Sequence, residues 1–501
     1  MSQVGGGADG PGDRLWVRGG SGGTAVGLEA LDAAAGVLAD VAQEVALVVW
    51  RVGAVATDAD LVAGSVLSPV TGAGADAALA AAAGPAALSG DATGLVALST
   101  AVRAAAAAYR RGEAAATRAV ERAQDTVMFV VGGLAPEILV GVLALDALGV
   151  DVAGLLDQLA FDEPGIADLA GGTEGLVVGL RSNPLTSPFL PAPPRTDGLT
   201  DDQDYEAAVR MLADSAAPWG LLSDRGRARV TAEPSPRAGA GVPLSLEDLA
   251  ADQRNLGDGE DYAGHVRVIE VPQAKGSAWI VEISGTQVWD PRAGQNPFDV
   301  TTDVRSMAQD ATLLADGVQQ ALEQAQAASA AAGGARDGDS NPGRELGLGL
   351  GPEAATDPVM LVGHSLGGIA AAGLASSPRF TQAHQVTHVV TMGSPVGRMP
   401  VPAGIEVLSL EHTQDAVPRL DGQANPDRAT WVTVSRDLGD GGVDRASEAH
   451  DTRHYIDTAA LVDDSAEPSV ATWRTTSTAF FAGDDHGEPV VRDFAIERVA
   501  P

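Results

Sequence analysis

Residues 357–376 read Asp-Pro-Val-Met-Leu-Val-Gly-His-Ser-Leu-Gly-Gly-Ile-Ala-Ala-Ala-Gly-Leu-Ala-Ser, an order that few folds accommodate. The apolar run at 359–362 has the length of a buried strand; a Gly-x-Ser-x-Gly turn follows, and an Ala-rich stretch of good helix propensity starts at once. The pattern predicts strand, sharp turn, helix, with Ser365 at the apex. Such a turn holds the serine in a strained conformation, and a Cβ at Gly363 or Gly367 would crowd the neighbouring strand or helix. The hydroxyl then stands at a helix N-terminus, where backbone N–H groups and the dipole favour developing negative charge, so Ser365 is a candidate nucleophile. The plainer alternative is a serine that only caps the helix.

At 501 residues the chain exceeds one ordinary core. Lys+Arg number 32 against 67 Asp+Glu, a net charge of −35 that repels phosphate backbones, so nucleic acid is not an expected partner. The absence of cysteine excludes disulfides, thiolate metal sites and cysteine nucleophiles. The first ten residues lack a basic and an apolar region, so no cleavable signal peptide is expected. Residues 126–150 are the best membrane-span candidate, but Pro136, Glu137 and Asp146 interrupt them. They are expected to form a buried helical hairpin and no integral membrane span. The expectation is a soluble protein, cytoplasmic or exported without a signal peptide.

Residues 1–23 are Gly-rich and expected to be disordered. Apolar residues recur at helical spacing at 27–53 and 93–125, so 24–180 is expected to be a helical bundle domain, its apolar face mostly Ala and Val. Repeated prolines make 181–245 a surface-wrapping connector with one helix near 204–215. Runs at 265–271 and 277–284 suggest a β-hairpin, a long helix is expected at 304–332, and 333–351 reads as a surface loop. Strands are expected at 386–392, 405–410 and 430–434. Their alternation with helices across 246–470 implies a mostly parallel sheet covered on both faces, an α/β catalytic domain preceded by an all-α one. Residues 471–481 and 490–499 read as a terminal β-hairpin within 471–501.

A serine nucleophile needs an adjacent base and a group that orients it. After a strand–turn–helix serine the acid and then the histidine follow along the chain, on loops at the C-terminal sheet edge. Asp415 lies just beyond the strand at 405–410 and before Pro418, and is the candidate acid; Glu411 and Asp421 are its rivals. For the base, Asp451 or Thr452 can cap a helix running through Leu461, which puts His450 in the loop before it and His454 one turn inside. His450 is preferred and His454 is the alternative. Their spacing also fits a pair of metal ligands, but no third ligand is evident, so no metal or cofactor is expected. His364, His388 and His412 read as structural. Two backbone donors are needed for an oxyanion: the N–H of Leu366, and a second from the Gly285-Thr286 turn after the strand at 277–284. Trp289 and Phe298 are candidates for an apolar acyl site or for core packing.

The ordered set Ile-Ser-Gly-Thr-x-x-Trp (283–289), Val-Gly-His-Ser-Leu-Gly-Gly (362–368), Val-Val-Thr-Met-Gly-Ser-Pro-Val-Gly (389–397) and Asp-Ala-Val-Pro-Arg-Leu (415–420) resembles the α/β-hydrolases, and most nearly the fungal-type class 3 lipases. The resemblance covers residues 260–465. It implies an α/β-hydrolase fold, Thr286 in the oxyanion hole, Ser365 as nucleophile and Asp415 as triad acid. Ser284 stands where those lipases usually have Arg, and no interfacial lid is identifiable. Many bacterial relatives have His five places before a Tyr, which favours His450, five before Tyr455. Farther upstream, Trp50-Arg51-Val52-Gly53 and Tyr109-Arg110-Arg111-Gly112-Glu113 resemble the W-x-G turn and Y-x-x-x-D/E export signal of ESX (type VII) secretion substrates, the first with one residue too many. That resemblance implies a secretion-machinery partner for the helical domain; an interior tryptophan and an amphipathic tyrosine are the plainer readings.

The sequence thus predicts an esterase acting on lipid or medium-chain acyl esters through an acyl-enzyme. The alternatives are an exported effector with the hydrolase as cargo and an inactive hydrolase fold serving as a binding module.

Overall fold

The computed structural model describes residues 2–4, 14–83, 85–190, 201–236, 243–257, 264–336, 357–439, 443–481 and 488–500. The chain divides into two compact units, residues 24–119 and residues 1–23 with 120–501. The all-helical region precedes a mixed, mostly parallel sheet with helices, a fold of the α/β-hydrolase type.

In the helical unit, α1 (Thr24–Ala56), α2 (Ala59–Leu67) and α3 (Pro69–Ala83) are followed by α4 (Pro85–Gly133). Small side chains make the seam: Ala35, Ala42 and Ala106 are buried, Ser99 Oγ donates to the Ala35 carbonyl at 2.7 Å, and Arg110 pairs with Asp32 at 2.7 Å. Alanine seams let helices approach closely but bury little area, and Val37, Leu47, Trp50 and Leu67 remain exposed. Helices Thr24–Ala56 and Leu88–Gly133 are long and apolar enough, by length and composition, to cross a membrane.

The expected bundle boundary at 180 is corrected: the compact division falls at 119/120. Close backbone packing accounts for it. A Cβ on Gly175 would lie 2.0 Å from the Asp125 carbonyl oxygen and one on Gly179 2.2 Å from that of Phe129, so the helix Thr173–Ser182 packs directly on the end of α4. The expected buried hairpin at 126–150 is also corrected. Helix α5 (Ala135–Ala147) does follow α4, but Phe129, Leu139, Val140 and Leu148 are exposed, because no further layer covers them among the described residues. Then come α6 (Val152–Asp162), α7 (Thr173–Ser182) and α8 (Asp201–Ala216), the last matching the helix expected near 204–215.

The sheet has ten strands among the described residues: β1 (Ser2–Val4), β2 (Leu15–Gly19), β3 (Arg227–Ala232), β4 (Gly264–Pro272), β5 (Ser277–Ile283), β6 (Pro358–His364), β7 (Gln385–Met392), β8 (Glu406–His412), β9 (Trp431–Arg436) and β10 (Val490–Val499), in spatial order 1-2-9-8-7-6-5-4-10-3. Strands β5 to β9 are parallel, whereas β4 joins β5 as the expected antiparallel hairpin. After α9 (Leu246–Gly257) and α10 (Val300–Met307), one face packs against α11 (Leu313–Arg336) and α12 (Leu366–Ser376), with Val281, Leu361, Val389 and Val407 pointing toward them. The other packs against helices Leu246–Gly257, Thr452–Asp463 and Pro468–Thr476, with Ile280, Met360, Val362 and Leu408. The alternation of neighbours between the two clusters is the period of two that a doubly covered sheet requires.

Four further expectations change. Residues 15–19, expected to be disordered, form β2, whose Leu15 and Val17 are buried beside β9; the rest of 1–23 outside 2–4 and 14–23 lies beyond the described residues. The connector contributes β3, while 191–200 and 237–242 are not among the described residues. The long helix breaks into Val300–Met307 and Leu313–Arg336, with Gln309 at φ 53° between them, and the loop expected after it lies mostly outside the described residues. Residues 471–481 are helical, because Pro468 begins a helix capped by Glu467 and sends Val470 and Trp473 into the core. Strand β10 therefore has no hairpin partner there and inserts antiparallel between β4 and β3.

That insertion predicts that deleting residues 488–501 leaves an interior gap in the sheet and yields insoluble chain or loss of the cooperative thermal transition by far-UV circular dichroism. A terminal hairpin would tolerate the same deletion.

Candidate active site

Strand β6 ends at His364 and α12 begins at Leu366, so Ser365 alone makes the turn, at φ 54° and ψ −123°. A non-glycine residue there costs of order 1–3 kcal/mol, which the surroundings must offset. Ser365 N–H donates to the Met392 carbonyl at 2.9 Å, and the Ser365 carbonyl accepts from Gly368 N–H at 3.0 Å. Any Cβ on Gly363 would lie 2.0 Å from the Gly367 carbonyl carbon, and one on Gly367 would lie 1.9 Å from the Ile283 oxygen. The two glycines thus let helix and strand approach as the sequence pattern requires.

Asp415 follows β8 and is fully buried. Its Oδ2 accepts from His450 Nδ1 at 2.7 Å and from Tyr455 Oη at 2.6 Å, and its Oδ1 accepts from Val417 N–H at 2.8 Å. Burial alone would raise this carboxyl; the His450 charge and hydrogen bond, with the other two donors, hold it below the ordinary carboxylate value. An ionised carboxylate can only accept, so His450 Nδ1 carries the proton of this hydrogen bond. Nε2 has no partner among the described residues.

Two neutral imidazoles hold the loop that presents His450. His364 Nε2 donates to the His450 carbonyl at 2.9 Å, its ring 4.5 Å from the His450 ring, and His412 Nδ1 donates to the adjacent Ala449 carbonyl at 2.8 Å. Burial drives His364 down to about 3 and His412 down to about 4, so both stay uncharged near neutrality. The His412 ring also stacks on Tyr455 at 3.9 Å. His454, the alternative base, is turned away, with Arg453 Nε 3.1 Å from its Nε2. Neither rival acid meets His450: Glu411 accepts from Asn425 at 2.6 Å, and Asp421 accepts from the N–H groups of Gln423 and Arg398.

Ser365, His364 and His450 line a cavity of about 510 Å³ with Gln253, Arg254, Gly285, Thr286, Gln287, Trp289, Ser447, Asp451 and Thr452. The Ser365 hydroxyl makes no hydrogen bond among the described residues. The N–H groups of Leu366 and Thr286 have no acceptor among the described residues either. Gly285 stands beside the serine, since a Cβ on it would lie 3.3 Å from Ser365 Cβ. The Thr286 hydroxyl donates to Asp303, 2.9 Å from Oδ2. Phe298 is fully buried in the core, whereas Trp289 is 71% exposed at the cavity, so the two do not share an acyl site.

Sequence reasoning missed Asp303 and the hydrogen bond from Tyr455. Asp303 lies in a stretch that reads locally as the first turn of a helix, and nothing nearby in sequence signals Thr286. Tyr455 was visible only as a spacing marker for His450. Among the described residues no three His, Asp or Glu side chains come together to hold a metal ion.

Residues 300–472 match the family model of the PGAP1-like alpha/beta domain, which includes the serine turn, Asp415 and His450. This match supports assignment of the domain to the α/β-hydrolase superfamily and a hydrolase-type activity. Searches of curated proteins and of solved structures found no match.

Burial raises the Asp303 and Glu411 carboxyls to about 7 each. As pH falls from about 8 to about 6.5 these groups take up protons in the folded chain while unfolded carboxylates stay ionised, so each adds about 1 kcal/mol of stability. Within the same range histidines of the unfolded chain, with an ordinary value of 6.5, begin to protonate while buried His364, His388 and His412 resist, which opposes the gain. Asp303→Asn and Glu411→Gln should each move the change in thermal midpoint from pH 8 to pH 6.5 downward relative to wild type in differential scanning fluorimetry, because each removes one carboxyl that takes up a proton in the folded chain.

Proposed function

We propose that the chain is a serine hydrolase that cleaves carboxylic esters, with lipid or medium-chain acyl esters as the substrate class implied by the lipase resemblance. Ser365 is the nucleophile, His450 the general base and then acid, and Asp415 the group that orients it. Thr286 and Leu366 supply the oxyanion donors, and no metal or cofactor takes part. The single observation that carries this reading is the contact of buried Asp415 with His450 at 2.7 Å, beside the cavity that holds the strained Ser365.

In the mechanism, Ser365 Oγ attacks the ester carbonyl carbon while His450 Nε2 takes its proton. The imidazolium that forms is stabilised by Asp415, which stays ionised. The carbonyl oxygen gains charge between the Thr286 and Leu366 N–H groups. Collapse of the tetrahedral species breaks the bond to the alcohol, which leaves with the proton from His450. Water then attacks the acyl-enzyme by the same route, releasing acid and restoring Ser365. Asp303, by accepting from the Thr286 hydroxyl, positions the residue that carries one oxyanion donor.

The helical region belongs to a second part of the proposal, in which it engages secretion machinery and the hydrolase is exported cargo. Exposure of Trp50 (70%) and Tyr109 (50%) supports that part, because both side chains are solvent-accessible. Tyr109→Ala should then block export while ester hydrolysis by the purified chain is retained. The proposal has the chain soluble, without a membrane span and without nucleic acid as a partner.

The catalytic reading is tested by labelling with a fluorophosphonate and by hydrolysis of p-nitrophenyl esters of graded acyl length. Ser365→Ala should abolish labelling and turnover. His450→Ala should lower kcat by about 1,000-fold or more, whereas His454→Ala should stay within about threefold of wild type. An unlabelled wild-type chain would instead favour a non-catalytic binding module.

A further inference from the structure

The cavity that holds Ser365 is lined mostly by polar groups. Apart from glycine, its lining comprises two glutamines, two threonines, two serines, two histidines, an arginine, an aspartate and Trp289. Arg254 is the one arginine or lysine in that lining. It projects from helix Leu246–Gly257, is exposed, and has neither a carboxylate nor a hydrogen-bond partner among the described residues. In a chain carrying −35, a guanidinium that pairs with no carboxylate among the described residues and lines the cavity of Ser365 calls for a separate account.

The acidic groups near the cavity are already engaged. Asp451 caps its own helix, accepting from Arg453 N–H at 2.9 Å, and lies 3.9 Å from Arg453 Nε. Asp157 takes both the N–H and the hydroxyl of Ser447, at 2.8 and 2.6 Å. Next to Arg254, Gln253 is 2% exposed, and its side-chain amide nitrogen and oxygen both lack a partner. A buried primary amide with neither atom satisfied costs free energy unless something completes it. An unpaired guanidinium and an unsatisfied amide on consecutive residues of one cavity wall are the complement of a polar anion, which the guanidinium can grip with two parallel N–H groups.

We infer that the substrate is an ester bearing an anionic group, a carboxylate or a phosphate, which Arg254 binds with Gln253 beside it. This rests on the proposed ester hydrolysis at Ser365 and names its substrate class. Arg254 acts in binding and specificity; it takes no part in proton transfer. The net charge of the chain disfavours anions at long range, so discrimination depends on this short-range contact and weakens as salt rises.

The test compares matched esters on the full chain. In one pair the anion is on the acyl side, 4-methylumbelliferyl hemiglutarate against 4-methylumbelliferyl valerate. In the other it is on the alcohol side, an acylglycerol phosphate against the monoacylglycerol. The expected result is a kcat/KM preference of about tenfold for the anionic member of at least one pair, the size of a hydrogen-bonded charge contact. Which pair shows it tells whether a carboxylated acyl group or a phosphorylated alcohol is read. Arg254→Gln should collapse that ratio toward one, Arg254→Lys should keep part of it, and about 0.5 M salt should reduce it in wild type.

Fluorophosphonate labelling of Ser365 separates the two readings. Normal labelling and turnover with no anionic preference, or a preference that survives Arg254→Gln, overturns this inference and leaves the hydrolase reading standing. Absence of labelling in wild type overturns both. Because Arg254 is exposed and holds no other group among the described residues, loss of the ratio in a variant with a wild-type thermal midpoint reports on substrate binding.

Discussion

The arrangement of the site depends on one buried anion, the carboxylate of Asp415. It receives donors from three places in the chain: Val417 in its own loop, His450 before the helix Thr452–Asp463, and Tyr455 inside that helix. A buried carboxylate without such donors would be strongly destabilising, so the contacts bind the end of β8 to the segment 450–455. The same contacts set which imidazole nitrogen carries the proton. Structural and chemical demands on Asp415 therefore coincide, and the orientation of the proposed base follows from satisfying a charge that the fold has removed from water.

Around this anion the geometry is held by groups that carry no charge themselves. His364 and His412 donate to the carbonyls of two consecutive residues, His450 and Ala449, from the ends of β6 and β8. Burial keeps both neutral, so neither competes with His450 for Asp415 and neither adds repulsion at the cavity. On the other side, Gly363 and Gly367 permit the strained turn at Ser365, and the Gly285-Thr286 turn follows the adjacent parallel strand β5. The proposed nucleophile, base, acid and oxyanion donors thus all come from the C-terminal ends of neighbouring strands or the loops beyond them.

Legibility from sequence followed the range of the interactions concerned. The strand–serine–helix turn, the parallel strands and the β4–β5 hairpin were readable because each is specified by residues a few places apart. Asp415 was readable because a strand and a proline bracket its loop. The choice between His450 and His454 was left to a spacing argument, since both lie near a helix start; the fold orients one toward Asp415 and the other toward Arg453. Strand β2 was hidden by its Gly-rich surroundings, and β10 was paired on paper with residues that are helical. The helical region carries helix periodicity throughout, yet its Ala-rich seams leave large apolar side chains uncovered, so the burial expected for 126–150 did not follow from its hydropathy.

By itself the sequence determined the local conformations that sterics and hydrogen bonding impose over a few residues: the strained serine between two obligatory glycines, the buried strands and the helices that follow them. It also set the inventory of chemistry, a serine nucleophile candidate with no cysteine, in a strongly acidic chain. Only the tertiary structure decided which distant side chains meet. The Asp415 contacts with His450 and Tyr455 span 35 and 40 residues, the Thr286–Asp303 bond spans 17, and Val490 of β10 pairs with Glu270 of β4, 220 residues earlier. Such contacts depend on desolvation and on the packing of the whole sheet, quantities to which every layer contributes and which no short stretch of chain contains.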